Sequence, residues 1–328
     1  MMKRIIFITI QFIFINCYSQ SNESSVLKNK TKLEKYVRAN GKTFAKFELK
    51  KIQDFAPETD AQDSICRRIG DSLKINEYYY KGDFDNNGLV DFLLIGDDYN
   101  CDESRSIRCN FKSLVMMSFP KDSLKIYNIN LGDGCFIPEI AKKNNQTVLQ
   151  VYNRRRGVLS VKGNNVEQHT LIYKYDGFID YNERPVKHSI EKIEFSTSGC
   201  YGTCPVFSLV IDKERNSTFF AERFNFGTEE ENMKKMSSFF NNNREGTFKT
   251  IIKEENYNQI LALLEYMNFV NFQNENILYE EDSGSSILKI TYDNGKEKII
   301  EDYGVVGSYS LKKLHELLFE LRMNQKWN

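Results

Sequence analysis

The stretch Ile287-Leu288-Lys289-Ile290-Thr291-Tyr292, followed by Asp293-Asn294-Gly295 and Glu297-Lys298-Ile299-Ile300, constrains the fold of this 328-residue chain most. Apolar and polar residues alternate on both sides of an Asn-Gly step. Both residues of that step take positive φ at little cost, so the segment predicts an antiparallel hairpin. Further strands are expected at Ile190–Phe195, Val206–Ile211 and Ser217–Glu222. A helix is expected from about Glu254, where Tyr257, Ile260, Leu261 and Leu264 fall at helical spacing and Glu254-Glu255 suits the positive end of the helix dipole. A closing helix runs from about Ser310 to Met323, with Leu311, Leu314, Leu318 and Leu321 as its buried stripe and Ser308 or Ser310 as its cap. The order β-β-β-α-β-β-α reads as an α+β domain with helices on one face of an antiparallel sheet. The polar stretch from Gly227 to Gly246 has no apolar periodicity and reads as a mobile surface insertion.

The first half predicts a mostly antiparallel β domain. A helix over Thr31–Asn40 is stopped by Gly41, a short strand lies within Phe44–Leu49, and Pro57–Ser72 allows a second short helix. Strands follow at Phe92–Ile95, Ser113–Phe119, Leu124–Ile129, Thr147–Asn153 and His169–Tyr175, separated by Asp, Asn, Gly and Lys turns. Aromatic residues at 13% and only 5 prolines support this β-rich reading. Apolar periodicity stops at Tyr181-Asn182-Glu183-Arg184-Pro185 and restarts at Ile190, which puts a domain junction there. The expected layout is a leader over 1–19, a β-rich domain over 20–182 and an α+β domain over 187–328.

The leader sets the expected compartment. Lys3-Arg4 precedes an apolar run from Ile5 to Ile15, and Cys17-Tyr18-Ser19 places small residues for cleavage before Gln20. That is the layout of a secretory signal peptide, too short to span a membrane. In a competing reading Cys17 becomes a lipidated N-terminus, although Asn16 stands where a lipobox wants Gly, Ala or Ser. Lys+Arg and Asp+Glu both number 45, so no net field recruits nucleic acid or an anionic membrane.

Export changes how the cysteines are read. The remaining six favour disulfides in an oxidising compartment. Spacing suggests Cys200–Cys204 and Cys101–Cys109 as local pairs and leaves Cys66–Cys135. Gly199 and Gly202 relieve the strain of the five-residue ring, and Pro205 stiffens the entry to the next strand. An alternative makes C-x-x-x-C-P a copper or thiol-redox segment, since a thiolate pair takes a soft metal. It lacks the helix such a motif needs, because Val206-Phe207-Ser208-Leu209-Val210-Ile211 reads as a strand.

Ile193-Glu194-Phe195, Ser198-Gly199-Cys200-Tyr201-Gly202-Thr203-Cys204-Pro205-Val206-Phe207, the hairpin and the leucine-rich helix together resemble domain of unknown function 6438. The resemblance covers roughly residues 187 to 328 and departs from the family pattern in the polar insertion. It implies a chain following a signal or lipoprotein peptide, and it adds no mechanism, since the family has no established activity.

Asp83-Phe84-Asp85-Asn86-Asn87-Gly88-Leu89-Val90-Asp91 carries the most specific chemistry. Asp83, Asp85, Asn87, the Leu89 carbonyl and Asp91 are candidate oxygen ligands, since calcium takes six to eight oxygens and alternate residues of a tight loop converge on one point. Gly88 permits the turn that aims them. The twelfth position of an EF-hand would be Leu94 rather than Glu, and strands flank the loop. The string Gly82 to Phe92 resembles the calcium loop of FG-GAP/VCBS repeats, in a single copy that implies no propeller. The bland alternative is an Asp/Asn-rich turn whose carboxylates cap main-chain amides without metal.

No nucleophile elbow, P-loop, zinc-protease helix or dinucleotide fingerprint occurs. His169, His188 and His315 are scattered and read as surface or partly buried residues, and Arg154-Arg155-Arg156 as a solvated turn. The expectation is therefore an exported, non-catalytic binding or scaffolding protein of the bacterial envelope with a structural calcium ion. The alternative is a periplasmic thiol-redox or copper-handling protein working through Cys200 and Cys204.

Overall fold

The computed structural model describes residues 29–55, 61–98, 110–121, 123–132, 134–155, 166–226, 232, 245–277 and 282–328. The leader with Cys17, both Cys101 and Cys109, and nearly all of the 227–246 insertion lie outside the described residues. The fold is α+β: three mostly antiparallel sheets with four helices among the described residues.

The first sheet contains β1 (Phe47–Leu49), β2 (Tyr79–Gly82), β3 (Asp91–Asp98), β4 (Asn110–Phe119) and β5 (Ser123–Asn128). Its order is β1-β3-β4-β5, and β2 pairs with the first half of β3. Every residue of β3 is buried, because both faces of this central strand are covered. Phe92 and Leu94 pack with Leu33 and Val37 of helix α1 (Lys30–Asn40), while Leu93 faces the opposite core. Helix α1 follows the predicted span, capped by Asn29, whose side chain accepts the Lys32 N–H at 3.0 Å.

The second sheet has the order β6-β7-β8-β9, with β6 at Gly134–Lys143, β7 at Gln146–Arg155, β8 at Glu167–Tyr173 and β9 at Phe178–Asp180. Strand β7 continues through Arg154 and Arg155, so those two residues belong to a ladder rather than a solvated turn. One face of this sheet meets the first sheet through Phe136, Leu149, Val151 and Leu171. The other contributes Val148, Ile172 and Ile179 to the core beneath the C-terminal helices. Helix α2 (Ala61–Ser72) docks at one end, where Cys66 is bonded to Cys135 of β6.

The third sheet is the predicted one with two strands added. Its order is β13-β12-β11-β10-β15-β16-β14. Strands β10 (Ile190–Thr197), β11 (Val206–Asp212) and β12 (Asn216–Arg223) form a meander, and β13 (Gly246–Ile251) extends it past the insertion. After helix α3 (Glu254–Met267) come β14 (Glu275–Ile277), β15 (Ser285–Tyr292) and β16 (Lys296–Tyr303); only the short β14 pairs in parallel. In the expected hairpin, Asp293, Asn294 and Gly295 all take positive φ. Helix α4 (Tyr309–Asn324) buries Leu311, Leu314, Leu318 and Leu321 against the sheet. Each such leucine is worth roughly 1.5–3 kcal/mol in area removed from water. Ser308 is the cap, accepting the Leu311 N–H at 3.2 Å. Ser310 instead reaches across to β9, its hydroxyl receiving the Asp180 N–H at 3.0 Å.

Candidate metal centre

The acidic loop joins β2 to β3, and the Gly82–Asp91 register pair closes it. Asn86 (φ 60°) and Gly88 (φ 82°) both lie in the left-handed region, which folds the loop back tightly enough for alternate side chains to meet. At Gly88 nothing lies within 4 Å of an added Cβ, so backbone conformation rather than space calls for glycine. The Asp83 carboxylate accepts the Asn87 and Gly88 amides at 3.1 and 3.0 Å. Asp85 accepts the Asn87 amide at 3.2 Å and its side-chain Nδ2 at 2.9 Å. Asp91 enters from the first residue of β3, accepting the Phe84 N–H at 2.8 Å and the Ser118 N–H at 2.7 Å.

Asp83, Asp85 and Asp91 thereby bring carboxylate oxygens within 4.8 Å of one another. Among the described residues no ion pair neutralises any of the three. Asp91 is fully buried. Burial above all, and then the charges of Asp85 and Asp83, push its carboxyl up to about 6 against the pull of the two amides. Burial also raises Asp85, with the Asp83 charge adding to it. Two further candidates are placed differently. Asn87 turns its Oδ1 to the Leu89 N–H at 2.7 Å and its Nδ2 to the Ser118 carbonyl at 2.8 Å, so its amide serves the loop itself. Leu89 contributes that donated amide. The arrangement is an all-oxygen, multiply anionic donor set, which suits a hard divalent cation and does not suit a soft one.

Ser118 is the participant that sequence reasoning missed. It lies on β4, 27 residues beyond Asp91, and holds the loop through its amide, its carbonyl and a 2.6 Å hydroxyl bond to the Val90 carbonyl. Only strand pairing brings it there.

The cysteine ring lies in the third sheet, between β10 and β11. Cys200 and Cys204 are bonded and half-buried, with Cα atoms 5.6 Å apart, and Tyr201 between them is 89% exposed. The ring closes the crossing from β10 to β11, where the Thr197 hydroxyl donates to the Pro205 carbonyl at 2.7 Å and accepts the Phe207 N–H at 3.2 Å. The segment after it is strand β11, as expected.

The histidines correct one expectation. His315 is 2% exposed, in the core under α4 rather than near the surface. Its Nε2 is 3.4 Å from Ser286 Oγ and its Nδ1 is 3.6 Å from Asp302 Oδ2, a Ser-His-Asp set that the sequence order hides. Ser286 and Asp302 are each 1% exposed, so the whole set is enclosed in the core. Burial lowers the His315 imidazole to about 4, against a Val305 main-chain hydrogen bond that favours the charged form. Val305 itself is held at φ 54°, unusual for a β-branched residue. His188 is a structural partner, with Nδ1 2.6 Å from Asp293 Oδ2 at the hairpin turn.

The fold and site define an α+β chain of stacked antiparallel sheets, with two disulfides among the described residues and an acidic loop at the start of a buried strand. Within it, residues 191–322 match the family model described as Domain of unknown function (DUF6438). No curated protein and no solved structure matches the chain.

Proposed function

We propose that this is an exported, non-catalytic binding or scaffolding protein of the bacterial envelope, whose segment 20–182 is held by calcium at Asp83–Asp91. The convergence of Asp83, Asp85 and Asp91 oxygens within 4.8 Å carries the reading. Three like charges in a partly dry site repel one another, and a divalent cation turns that repulsion into attraction. The likeness of Gly82–Phe92 to an FG-GAP/VCBS-type loop points the same way. The apolar leader over Ile5–Ile15 and bonded Cys66–Cys135 and Cys200–Cys204 support export, since such bonds persist in oxidising compartments. Among the described residues no helix is long and apolar enough to cross a membrane. Enclosure of Ser286 and His315 in the core favours a binding role over hydrolysis.

Thermal melting of the metal-stripped full chain with and without calcium tests this. A ligand at 100 times its Kd stabilises by about 2.7 kcal/mol, an upward shift of a few degrees. That shift should vanish in Asp85→Ala. An equal shift in wild type and variant would remove calcium from the loop.

A further inference from the structure

A cleft of roughly 280 Å³ opens between β5 and α4, with the turn that ends in Gly177 as its floor. One wall is the whole run Lys125 to Asn128 and the other is α4 from Tyr309 to Glu320. Strand β5 is the last in its sheet, so its outer edge has no strand partner among the described residues. The direction of its main chain follows from hydrogen bonding. Ile129 donates its N–H back to Ser113 at 3.1 Å, so residues of the other parity, Leu124, Ile126 and Asn128, turn their amides and carbonyls outward. Leu124 shows this directly, since the Tyr36 hydroxyl takes its carbonyl at 3.2 Å. Ile126 packs its side chain with Leu124 in the α1 core, so it meets the cleft through its main chain.

The walls are held apart by a strained connection. Tyr175 and Asp176 both sit in the left-handed region at φ 54° and 58°, where Asn and Gly are the comfortable residues. Tyr175 is pinned by its hydroxyl to the Ala262 carbonyl of α3 at 3.0 Å. The Asp176 carboxylate receives Lys125 Nζ and the Tyr127 and Tyr173 hydroxyls, and its carbonyl receives Lys313 Nζ at 3.0 Å. Two non-glycine residues therefore take left-handed backbone here, Tyr175 tying the turn to α3 and Asp176 bracing β5 against α4.

We infer that this cleft takes an extended peptide segment of a partner protein, which adds as a strand to the Ile126–Asn128 edge and lies against α4. An open strand edge facing a helix across a braced groove is the arrangement that main-chain pairing recognises, and bracing removes the ordering cost of forming it. Charge selects the occupant. Lys125 is committed to Asp176, and Lys312 and Lys313 both pair with Glu316 at 3.7 and 3.5 Å. Glu320, exposed one turn further along α4, has no cation paired with it among the described residues. The bound segment therefore carries its Lys or Arg opposite Glu320, the one lining carboxylate left without a cation among the described residues. This names the partner class for the binding role proposed above and rests on that role, without resting on calcium.

The test uses the full chain and labelled, capped heptapeptides of alternating Thr and Val with a central Lys or a central Glu. The Lys peptide should bind about tenfold more tightly than the Glu peptide, and Glu320→Lys should reverse that order. Binding should slow hydrogen exchange at the Ile126 and Asn128 amides, and N-methylation of alternate peptide amides should abolish it. Undiminished binding of the N-methylated peptide, protection at other strands only, or edge protection by self-association without peptide would overturn the assignment. So would failure of either peptide to bind, and such a failure would leave the calcium-dependent melting shift untouched.

Discussion

Asp91 Oδ2 accepts the Phe84 main-chain N–H at 2.8 Å, and through that bond the acidic loop is folded over the first residue of a fully buried strand. The other oxygen of the same carboxylate accepts Ser118 N–H from β4. One buried group thus joins the loop, β3 and β4, and Phe84 carries the connection into the core by packing edge-on to Phe178 at 5.9 Å.

Replacing Asp91 should therefore cost stability even without metal. Asp91→Ala strands two amides at a buried site, at about 1–3 kcal/mol each. Urea denaturation in the presence of a chelator should show a loss of roughly 2–6 kcal/mol. A loss below about 1 kcal/mol would show that the carboxylate does not hold the loop.

The disulfides should differ in worth. Cys66–Cys135 spans 69 residues and Cys200–Cys204 spans 4. Loop-closure entropy gives about 4 kcal/mol for the first and about 2 kcal/mol for the second. Paired alanine variants compared by denaturant midpoint should reproduce that order. A larger loss at the small ring would mean that native contacts around Thr197 and Pro205 dominate.

His315 should make the fold acid-sensitive. Its folded value near 4 lies below the ordinary 6.5, so below pH 6.5 the unfolded chain binds a proton that the folded chain resists. Stability should fall as pH drops from about 6.5 toward 4. His315→Gln keeps a polar group beside Ser286 and should flatten that part of the profile. An unchanged slope in the variant would place the acid sensitivity elsewhere.

These features differ in how far the amino-acid order reveals them. The Asp293–Gly295 hairpin, the Leu311–Leu321 stripe and the acidic loop are local patterns, and each forms close to its predicted place. Strand β6 escapes because Gly134 and Pro138 argue against a strand; it is an edge, where a missing N–H is tolerated. Strand β13 escapes because it too is an edge and buries no residue fully, and β9 and β14 are only three residues long. His315 was legible in principle. It follows Leu314 and stands one helical turn from Leu311 and Leu318, on the buried stripe of α4. Ser118 and the β5–α4 cleft were not, since their residues meet only after strands far apart in the chain have paired.

Whether Asp83, Asp85 and Asp91 hold calcium is decided by calorimetric titration of calcium into the metal-stripped full chain at neutral pH. One ion should bind per chain in the wild type, and Asp85→Asn should give no binding heat. No binding in the wild type, or the same isotherm in both proteins, would contradict this and leave Asp83, Asp85 and Asp91 as caps of main-chain amides alone.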